Sequence, residues 1–242
     1  MPEGPSILLI KDQLQPYKGK VVKKAGGYGP MPTAWIKGKK LINIETWGKH
    51  LLLIFNNGVV KIHLGLFGDL LINERKKVNR SFYLEFAKGE INGYVVTASK
   101  LKEPLEELYD WRTDILSKKF DKAWVKSLLK KKEGKTIDDV LMDQDIFSGV
   151  GNKIRNEALY RAAIHPQSII GKIPPAEITR LINEVVAYAK IFYNQLRKKG
   201  VNDGFKVYQQ EFAADGSEVT MKVLSKTKRK IFFSEHHQKL YS

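Results

Sequence analysis

Cysteine is absent from all 242 residues, which excludes disulfides, thiol nucleophiles and thiolate metal sites together. Histidine is scarce too: five are present, and His236-His237 are neighbours rather than a helically spaced ligand pair, so no structural zinc and no other cofactor is expected. The chain lacks a long apolar run and an amphipathic helix with a purely basic face, which argues against a membrane partner. There is no internal repeat, no low-complexity segment, and no charged lead followed by an apolar stretch and a small-residue cleavage site, so a cytoplasmic protein is expected. Acidic residues are the minority charge. Against 26 Asp and Glu stand 42 Lys and Arg, a formal net charge of +16, and the natural partner of that imbalance is a polyanion, most commonly nucleic acid. A hydrophobic fraction of 43% supports a sizeable core in one large domain or two modest ones.

Along the chain the pattern changes twice. Apolar residues at 7, 8, 10 and 14 suit a helix from Ser6 to about Tyr17. Short β-rich runs follow at Val21-Val22, Leu41 to Thr46, His50 to Phe55, Val59 to His63, Leu70 to Ile72, Phe82 to Phe86 and Tyr94 to Thr97, separated by turn signals such as Asn56-Asn57-Gly58 and Lys88-Gly89. From Asp121 the period is helical, with segments around Ala123 to Leu129, Ile137 to Leu141 and Lys153 to Ala163. A long helix then starts at Pro174-Pro175 and is ended by Gly200. Val219 to Leu224 and Lys230 to Phe233 read as a hairpin around Ser225 to Arg229. The fold class expected is α+β: an N-terminal β-sandwich over 1–118, a helical domain over 119–205, and a β-hairpin tail over 206–242.

Several short constellations have two readings each. Met1-Pro2-Glu3-Gly4-Pro5 is either a plain lead into the first helix or, once Met1 is removed, a secondary-amine nucleophile beside a carboxyl proton donor. An α-amino group titrates near ~8 against ~10.4 for lysine, so far more of it is unprotonated at neutral pH. Ser148-Gly149-Val150-Gly151-Asn152 between two helices is either a tight connection or a phosphate seat of backbone amides. Lys49 at a strand entrance is solvated or is a catalytic contact to a phosphate or leaving group. Leu66 and Phe67, between Gly65 and Gly68, fold into the core or form an exposed apolar tip of the kind that wedges between base steps. Arg229, beside Lys226, Lys228 and Lys230, is a solvated cation or grips phosphate.

Taken together, these motifs resemble the bacterial formamidopyrimidine-DNA glycosylase and endonuclease VIII family nearly end to end. Pro2-Glu3-Gly4-Pro5 looks like its N-terminal signature in the endonuclease VIII version. Gly48-Lys49-His50-Leu51-Leu52-Leu53 is similar to its lysine-bearing strand, and His63-Leu64-Gly65-Leu66 to its void-filling loop. The stretch from Leu141-Met142-Asp143-Gln144 through Gly149-Val150-Gly151-Asn152 to Glu157-Ala158-Leu159 and Ile164-His165-Pro166 resembles its helix-two-turn-helix element. The resemblance implies a monomeric, nucleoid-associated bacterial enzyme acting on double-stranded DNA with damaged bases or abasic sites. Pro2 would attack C1′ of a flipped nucleotide and form a Schiff base, Glu3 would serve as acid and base, and β,δ-elimination would nick the strand. Lys49, His63, Asn152, Tyr208 and Arg229 would grip phosphates, Gly151 belonging to the same seat, while Leu66 and Phe67 would fill the void.

The departures matter as much. The family's tail holds zinc with four cysteines, and counting puts Ala214, Ser217, Ser234 and His237 at those places. The resemblance therefore implies a zincless finger held by packing through Val219, Met221, Val223, Ile231 and Phe233. Ser6 replaces the usual glutamate after Pro5, and the segment between Tyr193 and Val207 is short for the loop that caps oxidised purines. Oxidised pyrimidines or abasic sites alone are the expected substrates. The alternatives are a non-catalytic binder of abasic DNA and a basic RNA-binding protein, the latter leaving the helix-two-turn-helix match unexplained.

Overall fold

The computed structural model describes residues 2–201, 203–224 and 229–242. It divides into two compact units, Met1–Tyr109 and Asp110–Ser242.

The first unit opens with helix α1 (Gly4–Leu14), starting earlier than the expected Ser6 because Pro5 lacks an N–H that the first turn would leave unpaired in any case. Two four-stranded antiparallel sheets follow. One has the order β1 (Val22–Gly26), β6 (Phe82–Phe86), β7 (Glu90–Tyr94), β5 (Asp69–Ile72); the other runs β2 (Leu41–Trp47), β3 (His50–Phe55), β4 (Gly58–His63), β8 (Thr97–Leu101). The expected strand at Tyr94 to Thr97 is instead the break between β7 and β8, where Val95 adopts φ 55°. Leu51 and Leu53 are fully buried in the core with Ile7, Leu14, Val60, Leu84 and Ile91. Each such side chain contributes about 1.5–3 kcal/mol through burial. A short helix, α2 (Leu105–Leu108), completes the unit.

The second unit contains α3 (Lys122–Lys130), α4 (Ile137–Leu141), α5 (Asn152–Arg161), α6 (Pro175–Lys199), and a hairpin of β9 (Thr220–Val223) and β10 (Lys230–Phe233). Asp121 caps α3 by accepting from the amides of Ala123 and Trp124. The helices close over Leu129, Phe147, Ile154, Leu181, Val185 and Phe192. The proposed turn at Ser225 to Lys228 lies outside the described residues, as does Met1. Among the described residues no helix is long and apolar enough to cross a membrane.

This division differs from the three blocks read from the sequence. The first boundary falls at Tyr109, before 118, because the following segment is tied to the helical unit: Ser148 N donates to Thr113 O at 3.0 Å and Ile115 N to Ser148 O at 3.2 Å. The block from 206 onward is not separate either, since it is hydrogen-bonded to α5.

Candidate active site and its supports

In the first unit, Glu3 lies in extended backbone (φ −120°, ψ 175°) immediately ahead of α1, and its carbonyl accepts from Ser6 N at 2.9 Å and Ile7 N at 3.3 Å. Only 2% of Glu3 is exposed, so its side chain sits in a largely water-free setting directly after Pro2 in the chain. Helix α1 packs on β2 and β3, the two strands joined by the turn that carries Lys49. Gly48 has φ 53°, the left-handed geometry that the first corner of a two-residue hairpin requires. That turn closes Trp47 against His50, and His50 in turn faces His63 across β3 and β4. His63 donates from Nδ1 to the Lys49 carbonyl at 3.3 Å, bringing the two expected phosphate contacts together.

Behind them stands an aromatic group that the sequence reading did not anticipate. Trp47 and His50 lie 5.0 and 5.8 Å from the Tyr109 ring, and His50 lies 5.5 Å from His63. Burial, then Lys61, His63 and Lys49, pushes the His50 pKa down to about 4, and burial pushes the Tyr109 hydroxyl up to about 12. The His50 Nδ1 is buried with no hydrogen-bond partner among the described residues, which agrees with a neutral ring.

The Leu66–Phe67 loop takes the exposed form of its two readings. Leu64 turns into the core, whereas Leu66 is 55% and Phe67 80% exposed. A Cβ at Gly68 would sit 1.9 Å from the Leu64 carbonyl oxygen. Only glycine permits so close a return, and the return is what pushes the two apolar side chains outward.

In the second unit the supports converge on α5. Gln144 ties the glycine loop ahead of it, donating to Met142 O and Val150 O at 3.0 and 3.1 Å and accepting from Gly149 N at 3.1 Å. Gly151 is the N-cap of α5, and Asn152 donates from Nδ2 to Lys230 O at 3.1 Å. Arg155 reaches Asn152 Oδ1 at 2.5 Å and Lys230 O at 3.0 Å. Asn156 accepts from Phe232 N at 2.8 Å. Arg229 therefore leads directly into a strand bolted to the same helix end as Gly151 and Asn152. Glu157, fully buried, accepts from three consecutive amides, Lys206, Val207 and Tyr208, at 2.9–3.0 Å. Hydrogen bonds to a charged acceptor are worth about 1.5–3 kcal/mol each, so this carboxylate sets where Tyr208 stands. Arg155, Asn156 and Glu157 were missed as positioning residues. The signal available was a run of polar side chains on a helix between apolar neighbours.

The tail is held differently from the expectation. Ile231, Phe232 and Phe233 are buried, whereas Met221 and Val223 face solvent, because β9 is the outer strand and β10 the one against α5. Ser217 and Ser234 share a 2.6 Å hydroxyl contact, Ser217 donates to Asp215 at 2.6 Å, and His237 lies 3.1 Å from Asp215 through Nδ1 and donates from Nε2 to Tyr160 O at 3.0 Å. The His237 ring stacks on Tyr160 at 4.3 Å, and the bonds from Ser217 bring the Asp215 carboxyl down to about 2. Ser217, Ser234 and His237 thus meet as counted. The alanine buried beside them is Ala213, while Ala214 is exposed. This donor set does not fit zinc: two hydroxyls and one imidazole, already bonded to one another and to backbone, replace thiolates. Among the described residues no cluster of His, Cys, Asp or Glu suits a metal ion.

An antiparallel sandwich led by a Pro-Glu terminus, joined to a helical unit with a glycine loop at a helix start and a β-hairpin, defines the DNA glycosylases of helix-two-turn-helix type. The formamidopyrimidine-DNA glycosylase N-terminal domain model matches residues 1–97, and the formamidopyrimidine-DNA glycosylase H2TH domain model matches residues 112–199. A formamidopyrimidine-DNA glycosylase of Shewanella denitrificans is 30% identical over 206 residues, 76% of this chain and 75% of that protein. Human endonuclease 8-like 3 is 28% identical over 207 residues, 81% of this chain but 34% of that protein, so the chain spans about a third of that relative's length. The solved Lactococcus lactis formamidopyrimidine-DNA glycosylase bound to DNA with an abasic site superposes with a TM-score of 0.85 at 18% identity, covering 98% of this chain and 99% of that one. A viral DNA glycosylase matches with a TM-score of 0.82 at 17% identity, over 98% and 100%. The chain belongs to the formamidopyrimidine-DNA glycosylase and endonuclease VIII family, whose members repair DNA by base excision.

Proposed function

We propose that the protein is a bifunctional DNA glycosylase and abasic-site lyase working through Pro2. The observation that carries this reading is the buried Glu3 carboxyl next to the residue whose amine becomes the terminus on removal of Met1. The unprotonated Pro2 nitrogen attacks C1′, the damaged base leaves with a proton, and Glu3 protonates the ring oxygen as the sugar opens to an iminium. The iminium acidifies the C2′ proton, and β- then δ-elimination release the two phosphates. Lys49 and His63 in the first unit, and Gly151, Asn152, Tyr208 and Arg229 in the second, would grip the backbone, with Leu66 and Phe67 filling the space of the flipped base. The DNA-bound state of the solved Lactococcus lactis relative supports damaged or abasic duplex DNA as partner.

Oxidised pyrimidines and abasic sites are the substrates this reading favours over oxidised purines. Ser6 stands where the family's glutamate would be, and α6 runs to Lys199, leaving only the stretch from Gly200 to Lys206 before the Tyr208 loop.

Borohydride trapping on abasic duplex tests the proposal, with the intact mass first checked for loss of Met1. Hydride reduction of the iminium should leave a covalent protein–DNA adduct, absent in Pro2→Gly. Tight duplex binding by the processed chain with no adduct would sink the lyase assignment and leave a non-catalytic binder.

A further inference from the structure

Helix α3 carries Lys122, Lys126 and Lys130 at four-residue spacing, hence on one face, with no acidic residue interleaved. Lys122 is held by Asn183 on α6 at 2.7 Å. Among the described residues neither Lys126 nor Lys130 forms an ion pair. Like charges stacked along one helix face oppose folding slightly, and that opposition is relieved when an anion sits between them.

Beside this ridge lies a groove of about 420 Å³ between α3, the connection ahead of α6 and the first turns of α6. Its floor is apolar, made by the buried Leu129, Ile170 and Ile173, with the partly buried Ile178 also lining it. Lys126 and Lys130 stand on one rim. Glu133 also lines it, its carbonyl accepting from Gly171 N at 2.9 Å. None of the residues proposed above for catalysis or DNA contact lines it.

A concavity with an apolar floor and a cationic rim matches a ligand that is both apolar and anionic. A phosphate backbone would leave the apolar floor unused. A peptide carrying carboxylates on one side and a large apolar side chain on the other satisfies both surfaces. We propose that this groove docks a short acidic, amphipathic segment of a partner protein, its apolar side chain entering between Leu129 and Ile178 and its carboxylates pairing with Lys126 and Lys130.

The test uses a fluorescein-labelled peptide in which Asp and Glu flank a Leu-Phe pair, titrated by anisotropy with the whole 242-residue chain. Saturable binding is expected, weakened roughly tenfold by the double variant Lys126→Glu, Lys130→Glu, and lost when Thr179→Trp fills the groove. A control peptide with Ser in place of Leu and Phe should bind roughly tenfold more weakly. Thermal melts establish that both variants fold, and either variant suffices if the other does not. Absence of saturable binding overturns the proposal. So does equal binding of the Ser control, insensitivity to both substitutions, or displacement of the peptide by undamaged duplex, which would assign the face to DNA. Because trapping by Pro2 is measured separately, failure here leaves the glycosylase reading untouched, and the reverse also holds.

Discussion

Burial leaves the His50 ring neutral at physiological pH, and that neutrality has a sign. In the unfolded chain the ring titrates near 6.5, in the folded unit at about 4. As pH falls below 6.5 the unfolded state takes up the proton first, so stability of the first unit starts to drop there and stops dropping through this group below about 4. The full loss is on the order of 2 kcal/mol, discounted for the part of the ring that water reaches. His50→Gln should therefore lose less stability than the native protein over that window, read from urea midpoints at each pH. Equal losses would mean that His50 is already protonated in the folded protein.

At the scale of elements, the tail shows side chains that hold a hairpin through their own bonds. Asp215, Ser217, Ser234 and His237 form one hydrogen-bonded clasp against Tyr160, and β10 packs its Ile231-Phe232-Phe233 run beneath. A strong chelator should leave both the melting temperature and abasic-duplex binding unchanged, whereas His237→Ala should destabilise the second unit by about 1–2 kcal/mol through the lost bonds and ring stacking. Loss of binding on chelation would overturn the clasp as the finger's support. The strands β2 to β6 were legible because their apolar residues alternate or run continuously between turn signals. Strand β8 was not, since Thr97-Ala98-Ser99-Lys100-Leu101 has little apolar content and becomes a strand by pairing with β4. For the same reason Met221 and Val223 looked like core: only the position of β10 against α5 decides which hairpin strand is covered.

For the whole molecule, two compact units, each with a buried apolar core of its own, imply two folding units. Residues 2–109 and 110–242, produced apart, should each give a cooperative thermal transition. A half with no transition by circular dichroism would show that its core is incomplete alone. The excess of positive charge pointed to a polyanionic partner, and the residue types at 2, 3, 49, 63, 66, 67, 152 and 229 are those on which the proposed chemistry rests. What sequence could not reveal was the machinery behind them. The bonds from Ser148 to Thr113 and Ile115 that move the boundary to Tyr109, and the hold of α5 on the tail, join residues far apart in the chain and leave no local period to read.

The three amides that converge on Glu157 form an anion nest, and its occupant is the protein's own carboxylate. The nest is filled before any DNA arrives. The backbone from Lys206 to Tyr208 thus has no donor to offer a phosphate, and whatever grip this loop exerts on a duplex must come from side chains alone.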